Sequence, residues 1–279
     1  MTYHKIMTAV DESPAGAHAL RVGDQLAAAA EAQLVVLQVV DEPWRFVEPG
    51  EVEVKRALRD NAWEKVAAVQ VSDELRQLAA SEDLSIRHVA TAVRFGTPGI
   101  EIARSAEQER ADLIVLGRQP AGPPHLPPTG GTIEGTLQWA RVPCLIVPFG
   151  HRTWRRVLVL SHEGVAAGAV LAQAFRFGEV FGSEVTVLDV EPQLAVAGGG
   201  GTEVVARKAF TVWARLPGTG AFDVVVREGD PATEILRAAR EQQADLLVIG
   251  YGRGEDVDAV SAGARIVRRA RCAVLAVPV

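Results

Sequence analysis

The sequence predicts two tandem α/β domains, each built on a parallel β-sheet, and three observations lead to this fold class. The chain has 279 residues, which suits two domains of about 140 residues each. The segment 226–250 repeats the pattern of the segment 93–117 without a gap, so that Gly96 aligns with Gly229 and Gly117 with Gly250. Short apolar runs alternate with helical patterns in both halves, which favours right-handed crossovers and helices on both faces of the sheet. The repeat indicates a duplicated domain, and duplicated domains in one chain usually pack as an internal pseudo-dimer.

The first half of copy one begins with a short strand and a capped helix. Lys5–Val10 is an apolar run, and Ser13 followed by Pro14 supplies a good N-cap and a residue suited to the first helical position. We expect a helix from Pro14 to about Glu31. The β-branched run Leu34–Val40 predicts a second strand that is buried on both faces.

The remaining elements of copy one continue the alternation of helix and strand. In chain order we expect a polar helix over residues 52–81, a strand over 86–93, a helix from Gly96-Thr97-Pro98 to about Arg110, a strand over 113–116, a loop over 118–131, a helix over 132–141 and a last strand over 144–147. Domain 1 is therefore expected to span residues 1–149.

Copy two is a shortened version of copy one, and we expect it to span residues 155–279. Its strands are expected at residues 156–160, 185–190, 246–249 and 274–277. Val39 of the second strand aligns with Val190, and Gly96 after the third strand aligns with Gly229, so the segment between these strands is shorter in copy two. Where copy one has its long polar helix, copy two has Gly198–Gly201 and a shorter helix over about 203–216. The outer faces of the two domains are therefore expected to differ.

Composition excludes several classes of function. The net charge of −6 argues against sequence-independent binding of nucleic acid. No apolar run approaches the ~18 residues that a membrane-spanning helix needs. Cys144 and Cys272 lie in apolar runs without metal-ligand spacing, so we expect buried thiols. The expectation is a cytoplasmic protein with no nucleic-acid or membrane partner.

Five short motifs carry a resemblance to a known family. They are Ala9–Pro14, Val39–Asp41, Gly96–Pro98, Ala111–Gly117 and Pro143–Val147. Together they resemble the universal stress protein family, and the resemblance covers essentially the whole chain. It implies the strand order 3-2-1-4-5 in each domain, and domains that pair through their last strands.

Members of this family that bind ATP or AMP carry the motif G-x2-G-x9-G-[ST] after the fourth strand. Glycines let backbone amides approach a phosphate, and the final Gly-Ser/Thr pair opens a helix whose N-terminus attracts anions. In copy one, Gly117 matches the first glycine, Pro120 replaces the second, and Gly130-Gly131-Thr132 supplies the final pair displaced by one residue. Five prolines between positions 120 and 128 remove five N–H donors from this loop.

The rest of the implied nucleotide site of copy one is intact. The resemblance places Asp11 near the adenosine and Val39 against the base, with the ligand at the switch point between strands one and four. Asp11 and Ser13 could equally be ordinary helix-capping residues. The Gly130-Gly131-Thr132 segment could likewise be a turn followed by an N-cap.

Copy two departs further from the motif. His162 replaces the aspartate, Gly250 is kept, and Arg253 stands at the second glycine position. Gly263 has the correct spacing for the last glycine, but Ala264 follows it in place of Ser or Thr. Arg253 could meet a phosphate, although three carboxylates in the same loop repel polyanions.

No catalytic set emerges, because the six histidines lack metal-ligand spacing and neither a nucleophile elbow nor a G-K-[ST] phosphate loop occurs. The leading hypothesis is a tandem, non-catalytic regulatory binding module of stress response with degenerate nucleotide motifs and an unidentified protein partner. A second hypothesis keeps an ATP or AMP site in domain 1, with Mg²⁺ if the triphosphate binds and at most weak hydrolysis. A third is a structural scaffold for protein partners. A further homodimer is compatible with all three.

Overall fold

The computed structural model describes residues 3–41, 62–82, 84–85, 89–119, 131–151, 153–161, 165–191, 223–252 and 257–279. The chain forms two compact units, Tyr3–Gly150 and His151–Val279, which are called domain 1 and domain 2 below. Among the residues that the structure describes, each unit contains five parallel strands.

Domain 1 alternates strands and helices as its sequence predicts. Its elements are β1 (Lys5–Val10), α1 (Pro14–Ala30), β2 (Gln33–Val40), α2 (Ala62–Ser81), β3 (Val89–Phe95), α3 (Pro98–Glu109), β4 (Leu113–Arg118), α4 (Gly131–Trp139) and β5 (Cys144–Pro148). The expected helix over 52–81 is described from residue 62, and residues 86–88 of the expected third strand lie outside the described residues.

Domain 2 repeats this order within the part of the chain that the structure describes. Its elements are β6 (Arg156–Ser161), α5 (Val165–Phe181), β7 (Glu184–Glu191), β8 (Asp223–Glu228), α6 (Pro231–Glu241), β9 (Leu246–Tyr251), α7 (Val257–Arg269) and β10 (Ala273–Pro278). The glycine run 198–201 and the expected helix over 203–216 lie outside the described residues.

Both sheets are parallel and have the strand order that the family resemblance implies. The order is β3-β2-β1-β4-β5 in domain 1 and β8-β7-β6-β9-β10 in domain 2. The doubly wound fold class is thus confirmed. The sequence alignment of the copies carries β2 onto β7 end to end, with Gln33 on Glu184 and Val40 on Glu191. The shortening of copy two lies after β7, as expected.

Local sequence signals explain the strands and helices that frame the site. Ser13 has extended backbone angles, and its side chain accepts a hydrogen bond from Gly16 N–H, so it caps α1 as expected. The helix ends where Glu31 adopts the left-handed conformation, with φ 54°. The central strands are apolar throughout, and Ile6, Met7 and Leu113 are 0% exposed, which places the core of domain 1 on both faces of β1 and β4.

A duplicated aspartate ties the first strand of each domain to the fourth. The Oδ2 atom of Asp112 accepts hydrogen bonds from two successive backbone N–H groups at the start of β1, at 2.6 and 2.9 Å. Its counterpart Asp245 accepts from two backbone N–H groups at the start of β6, at 2.8 and 2.9 Å, and its Oδ1 accepts from a threonine hydroxyl at 2.8 Å. The aspartate of the repeated Ala-Asp pair before the fourth strand therefore has a structural role, because its hydrogen bonds hold the start of the first strand in each domain.

The segment directly before β6 contributes an aromatic side chain to domain 2. Trp154 is 9% exposed, and its ring lies 5.0 Å from that of Phe177 and 5.9 Å from that of Phe181, measured between centroids. Ser183 donates a hydrogen bond from its hydroxyl to the backbone oxygen of Trp154. Aromatic stacking of this kind adds to ordinary apolar burial, so this segment is anchored to α5.

Candidate functional site

A cavity of about 740 Å³ lies at the carboxyl ends of the strands in domain 1. The ends of β1, β2 and β4 line it through Val10, Val39 and Gly117. In the order 3-2-1-4-5, β1 and β4 are the strands between which the chain reverses its direction across the sheet. Ligands of open α/β sheets bind in this crevice. The volume falls within the ~300–1,000 Å³ that is typical of small-molecule sites.

Asp11 and Ser13 line the cavity and also cap α1. Asp11 Oδ1 accepts hydrogen bonds from the backbone N–H and the hydroxyl of Ser13, and Ser13 Oγ accepts from Gly16 N–H at 3.1 Å. A Cβ at Gly16 would lie 2.5 Å from Asp11 Oδ1, so a glycine is required below this turn. The two interpretations of Asp11 and Ser13, cap and ligand contact, are therefore compatible in space.

Gly117 lies where β4 passes beneath the start of α1. A Cβ built on Gly117 would stand 2.2 Å from the backbone oxygen of Ala15 and 2.6 Å from its carbonyl carbon. Real Cβ atoms do not approach backbone this closely. The glycine thus allows α1 to rest directly on the sheet at the floor of the cavity.

The N-terminus of α4 forms another wall. Gly131, Thr132 and Ile133 are the first three residues of this helix, and all three line the cavity. The first backbone N–H groups of an α-helix have no partner within the helix, and they attract anions. Gly130 and the proline-rich stretch before it lie outside the described residues.

The N-terminus of α3 completes a set of three converging helix starts. Thr97, Pro98 and Gly99 line the cavity, and Thr97 occupies the N-cap position without a side-chain capping bond. The starts of α1, α3 and α4 therefore meet at one cavity. Their aligned peptide dipoles give it a positive electrostatic contribution that comes from the backbone.

The side chains around the cavity have the opposite charge. Asp11, Glu12 and Asp41 contribute carboxylates, and no cationic side chain occurs among the described residues of the lining. The described residues also contain no group of three or more His, Cys, Asp or Glu placed to hold a metal ion.

An apolar wall adjoins the polar one. Val39 is partly exposed in the cavity, and Ile102 and Leu116 are 2% and 3% exposed beneath it. The structure thus places around one cavity Asp11, Ser13, Val39, Gly117, Gly131 and Thr132, which the sequence analysis assigns to a candidate nucleotide site. The cavity lining also includes Gln38, Thr97 and Ile102, which the sequence analysis did not assign to the nucleotide site. A sequence signal for these three exists, since each lies at the carboxyl end of a strand or in the following helix start.

Domain 2 has a different arrangement at the corresponding positions. The fourth strands align Ile114 with Leu247, and their partners in the last strands align Cys144 with Val274, so the connection between these strands is shorter in domain 2. Gly263 therefore corresponds to Ile133 and lies inside α7, not at the helix opening that the motif spacing indicated. A Cβ there would stand 3.0 Å from Tyr251 Cδ2, so Gly263 packs on an aromatic ring.

The other residues singled out in domain 2 are only partly described. Gly250 lies in β9 at the position of Gly117, whereas Arg253 and His162 lie outside the described residues. Asp230 replaces Thr97 and caps α6, because its Oδ2 accepts from Thr233 N–H at 2.9 Å. The Thr233 hydroxyl and N–H, together with Arg265, hold the pKa of the Asp230 carboxyl below its ordinary value. In domain 2 a carboxylate therefore occupies the start of α6. The corresponding helix start in domain 1, that of α3, lines the cavity.

The fold and the crevice at its switch point define a tandem doubly wound α/β protein with a ligand-sized cavity in its first domain. The family model of the universal stress protein family matches residues 2–148 and again residues 153–278. The chain belongs to the universal stress protein family, as a tandem member with two copies of the domain.

Solved structures share this fold over nearly the whole chain. A universal stress protein from Archaeoglobus fulgidus DSM 4304 has a TM-score of 0.68 at 17% identity, covering 98% of each chain. A universal stress protein described as putative, from Pseudomonas aeruginosa UCBPP-PA14, has a TM-score of 0.66 at 17% identity, covering 99% of this chain and 93% of the other. A functionally unknown protein from Pseudomonas aeruginosa PAO1 has a TM-score of 0.66 at 16% identity, with coverages of 99% and 92%. At these identities the likeness concerns the fold.

No curated protein matches the chain. Among the described helices, none combines the length and the apolar character that crossing a membrane requires.

Proposed function

We propose that this chain is a non-catalytic regulatory binding module of stress response, in which domain 1 binds an adenine nucleotide and domain 2 does not. The observation that carries the proposal is the convergence of the starts of α1, α3 and α4 on the cavity of about 740 Å³. Binding would shift the population of conformations that a protein partner recognises, without chemical turnover.

The two walls of the cavity match the two ends of a nucleotide. The apolar wall around Val39 and Ile102 suits a base, and the backbone N–H groups of Gly131 and Thr132 suit a phosphate. The three carboxylates oppose each added negative charge. AMP is therefore the ligand expected without a metal ion, and ATP is expected to bind as its magnesium complex.

The difference between the domains rests on the helix start after the third strand. Thr97 leaves the α3 start without a side-chain cap, whereas Asp230 places a carboxylate on the α6 start. A phosphate would compete with that carboxylate for the same N–H groups, and the two negative charges would repel each other.

Isothermal titration calorimetry of the full chain with AMP and with Mg-ATP tests the proposal, using two substitutions at one residue. Gly131→Pro removes one backbone N–H at the first position of α4, where proline is well tolerated in a helix. Gly131→Ala keeps that N–H, and an added Cβ meets no atom of the described residues within 4 Å. Loss of a hydrogen bond to a charged group costs about 1.5–3 kcal/mol, so Kd should rise at least tenfold in Gly131→Pro. Gly131→Ala should bind like the original chain.

The result separates the hypotheses for this family member. Equal affinities of the two variants would show that the α4 start does not contact the ligand. Absence of binding by the original chain to AMP and to Mg-ATP would overturn the nucleotide proposal and favour a module that recognises protein partners directly.

A further inference from the structure

A second cavity of about 810 Å³ lies in domain 2, in the groove between α6 and α7. It reaches the amino ends of β6 and β10 through Arg156 and Cys272, so it lies away from the carboxyl ends that form the crevice in domain 1. Five arginines line this groove, which is called the arginine groove below: Arg156, Arg240, Arg265, Arg269 and Arg271. In a chain of net charge −6 this is a marked local excess of positive charge.

The duplicated domain shows what the same positions look like when their charge is neutralised. In domain 1, Lys5 pairs with Glu109 at 3.4 Å, and Arg141 pairs with Glu107 at 3.6 Å. Lys5 begins β1 as Arg156 begins β6. Arg141 precedes the last strand of domain 1 as Arg271 precedes that of domain 2, because Cys144 aligns with Val274.

Domain 2 has exchanged the two acids of this arrangement. In the gapless repeat, Glu107 and Glu109 correspond to Arg240 and Gln242. One carboxylate is thus replaced by a further cation and the other by a neutral amide. The cations at the positions of Lys5 and Arg141 therefore lack, in domain 2, the partners that neutralise them in domain 1.

Within the part of the chain that the structure describes, one of the five arginines of the groove has a carboxylate partner and the other four do not. Arg265 pairs with Asp230 at 3.2 Å. Arg156 donates to the side-chain oxygen of Gln243, and Arg240 to a backbone oxygen of its own helix. The side chains of Arg269 and Arg271 make no hydrogen bond or ion pair with any residue that the structure describes.

Nearby carboxylates are occupied elsewhere. Asp245 lines the groove, but its oxygens accept from the β6 start and from Thr153. Glu241 is shared by Arg227 and Arg237 on another face of α6.

The close approach of α3 and α4 in domain 1 is not possible for α6 and α7 in domain 2. In domain 1, α3 and α4 touch at Gly99 and Gly135, where a Cβ on Gly99 would stand 2.7 Å from the backbone of Gly135. The corresponding residues of domain 2 are Ala232 and Arg265. Their side chains prevent the same close approach, and the arginine groove occupies the space between the helices.

Helix dipoles account for part of the pattern. Arg240 and Arg269 lie in the last turns of α6 and α7, where cations stabilise the helix end. Arg156 begins a strand and Arg271 follows the helix, so this explanation does not extend to them.

We propose that the arginine groove binds a small molecule that carries two or more phosphate groups. Guanidinium groups recognise phosphate with paired hydrogen bonds. The volume suits a small ligand, and Leu236, Ala239 and Ala270 supply apolar contact for its organic part. The site is separate from the nucleotide cavity proposed for domain 1 and does not depend on it.

Calorimetric titration of the full chain with inorganic tripolyphosphate tests this site. The double variant Arg269→Gln, Arg271→Gln removes the two cations that lack partners, and each should weaken binding by about tenfold or more. The double variant Arg240→Glu, Gln242→Glu copies the acids of domain 1 into domain 2 and should also weaken binding. Arg141→Gln is the matched control, because Arg141 corresponds to Arg271 but is already paired in domain 1. Its affinity should stay within twofold of the original.

The four arginines changed in these variants are exposed and Gln242 is partly exposed at the end of α6, so circular dichroism should show unchanged folding. Tripolyphosphate binding that is weakened in both domain 2 variants and kept in Arg141→Gln supports the site. Three results would overturn it: no binding by the original chain, equal weakening in Arg141→Gln, or tighter binding of a single-stranded oligonucleotide than of tripolyphosphate. Since the domain 2 variants leave domain 1 untouched, a negative result here is independent of the Gly131 experiment.

Discussion

Gly117 and Gly250 occupy the same position in the two copies of the domain, and the structure predicts different costs for replacing them by alanine. A Cβ on Gly117 would stand 2.2 Å from the backbone oxygen of Ala15. A Cβ on Gly250 would meet methyl groups of Val279 and Val170 at 3.3 and 3.4 Å. Backbone at the start of α1 can move only with the helix, whereas valine side chains can shift by a few tenths of an ångström.

The magnitude follows from this geometry. Overpacking against a rigid neighbour costs about 1–3 kcal/mol, occasionally more, so Gly117→Ala should destabilise domain 1 by at least that amount. In Gly250→Ala the small repacking cost is offset by about 0.4–1 kcal/mol, because alanine reduces the entropy of the unfolded chain. The difference between the variants should be about 2 kcal/mol, or roughly 5 °C in Tm for domains of this size.

Hydrogen exchange followed by mass spectrometry can assign the loss to a domain. Two domains in one chain need not unfold as a single two-state unit, so a global melting curve is less informative. Peptides covering β4 should exchange faster in Gly117→Ala, and peptides covering β9 should be nearly unchanged in Gly250→Ala. Nucleotide affinity should fall in Gly117→Ala as well, because the α1 start carries Asp11 and Ser13 into the cavity. Equal effects of the two substitutions would refute the close contact between β4 and the start of α1.

Two further predictions concern titratable groups. The pKa of Asp230 is lowered in the folded chain, so its ionised cap stabilises α6 above the unfolded pKa, near 4, and this stabilisation is lost as pH falls through the lower folded value. Urea unfolding between pH 3 and 7 should show this loss, and Asp230→Asn, which caps without titrating, should lack it; identical pH profiles would contradict the assignment. Burial raises the pKa of the Cys144 thiol to about 12, so iodoacetamide at pH 8 should leave it unlabelled until urea unfolds the chain. Labelling of Cys144 in the native protein at the rate of a free thiol would show that β5 is not packed as described.

Much of the fold was predictable from the sequence because periodicity and capping are local signals. Pro14 starts α1 as expected, and the repeat placed β7 on β2 without an error in register. Strand ends were less accurate: β4 continues to Arg118, beyond the glycine at which the apolar run stops. Hydrogen bonding to β5 extends the strand there, and such pairing is not visible in a single segment.

The place of a candidate-site residue in the fold could be predicted where the residue has a backbone role, as a glycine or a helix cap does. It could not be predicted where the number of residues between two elements differs between the copies. Counting from Gly250 placed Gly263 at a helix start, but α7 begins at Val257 because the connection before it is shorter than in domain 1. The arginine groove was missed for another reason. Arg156 and Arg269 lie far apart in the sequence and line the same groove only in the folded domain.

The hydrogen bonds that Asp112 and Asp245 accept from the first strands have a consequence for folding during synthesis. Asp112 follows its partner at the start of β1 by 108 residues, and Asp245 follows its own by 90. During synthesis from the N-terminus, the start of each first strand therefore lacks this hydrogen-bonding partner until most of its domain has left the ribosome. Contacts so distant in sequence form late, because their loop-closure entropy must be overcome first. Each aspartate thus makes its hydrogen bonds to the first strand only near the end of its domain's synthesis. Nascent chains stopped before residue 112 or residue 245 should lack these hydrogen bonds.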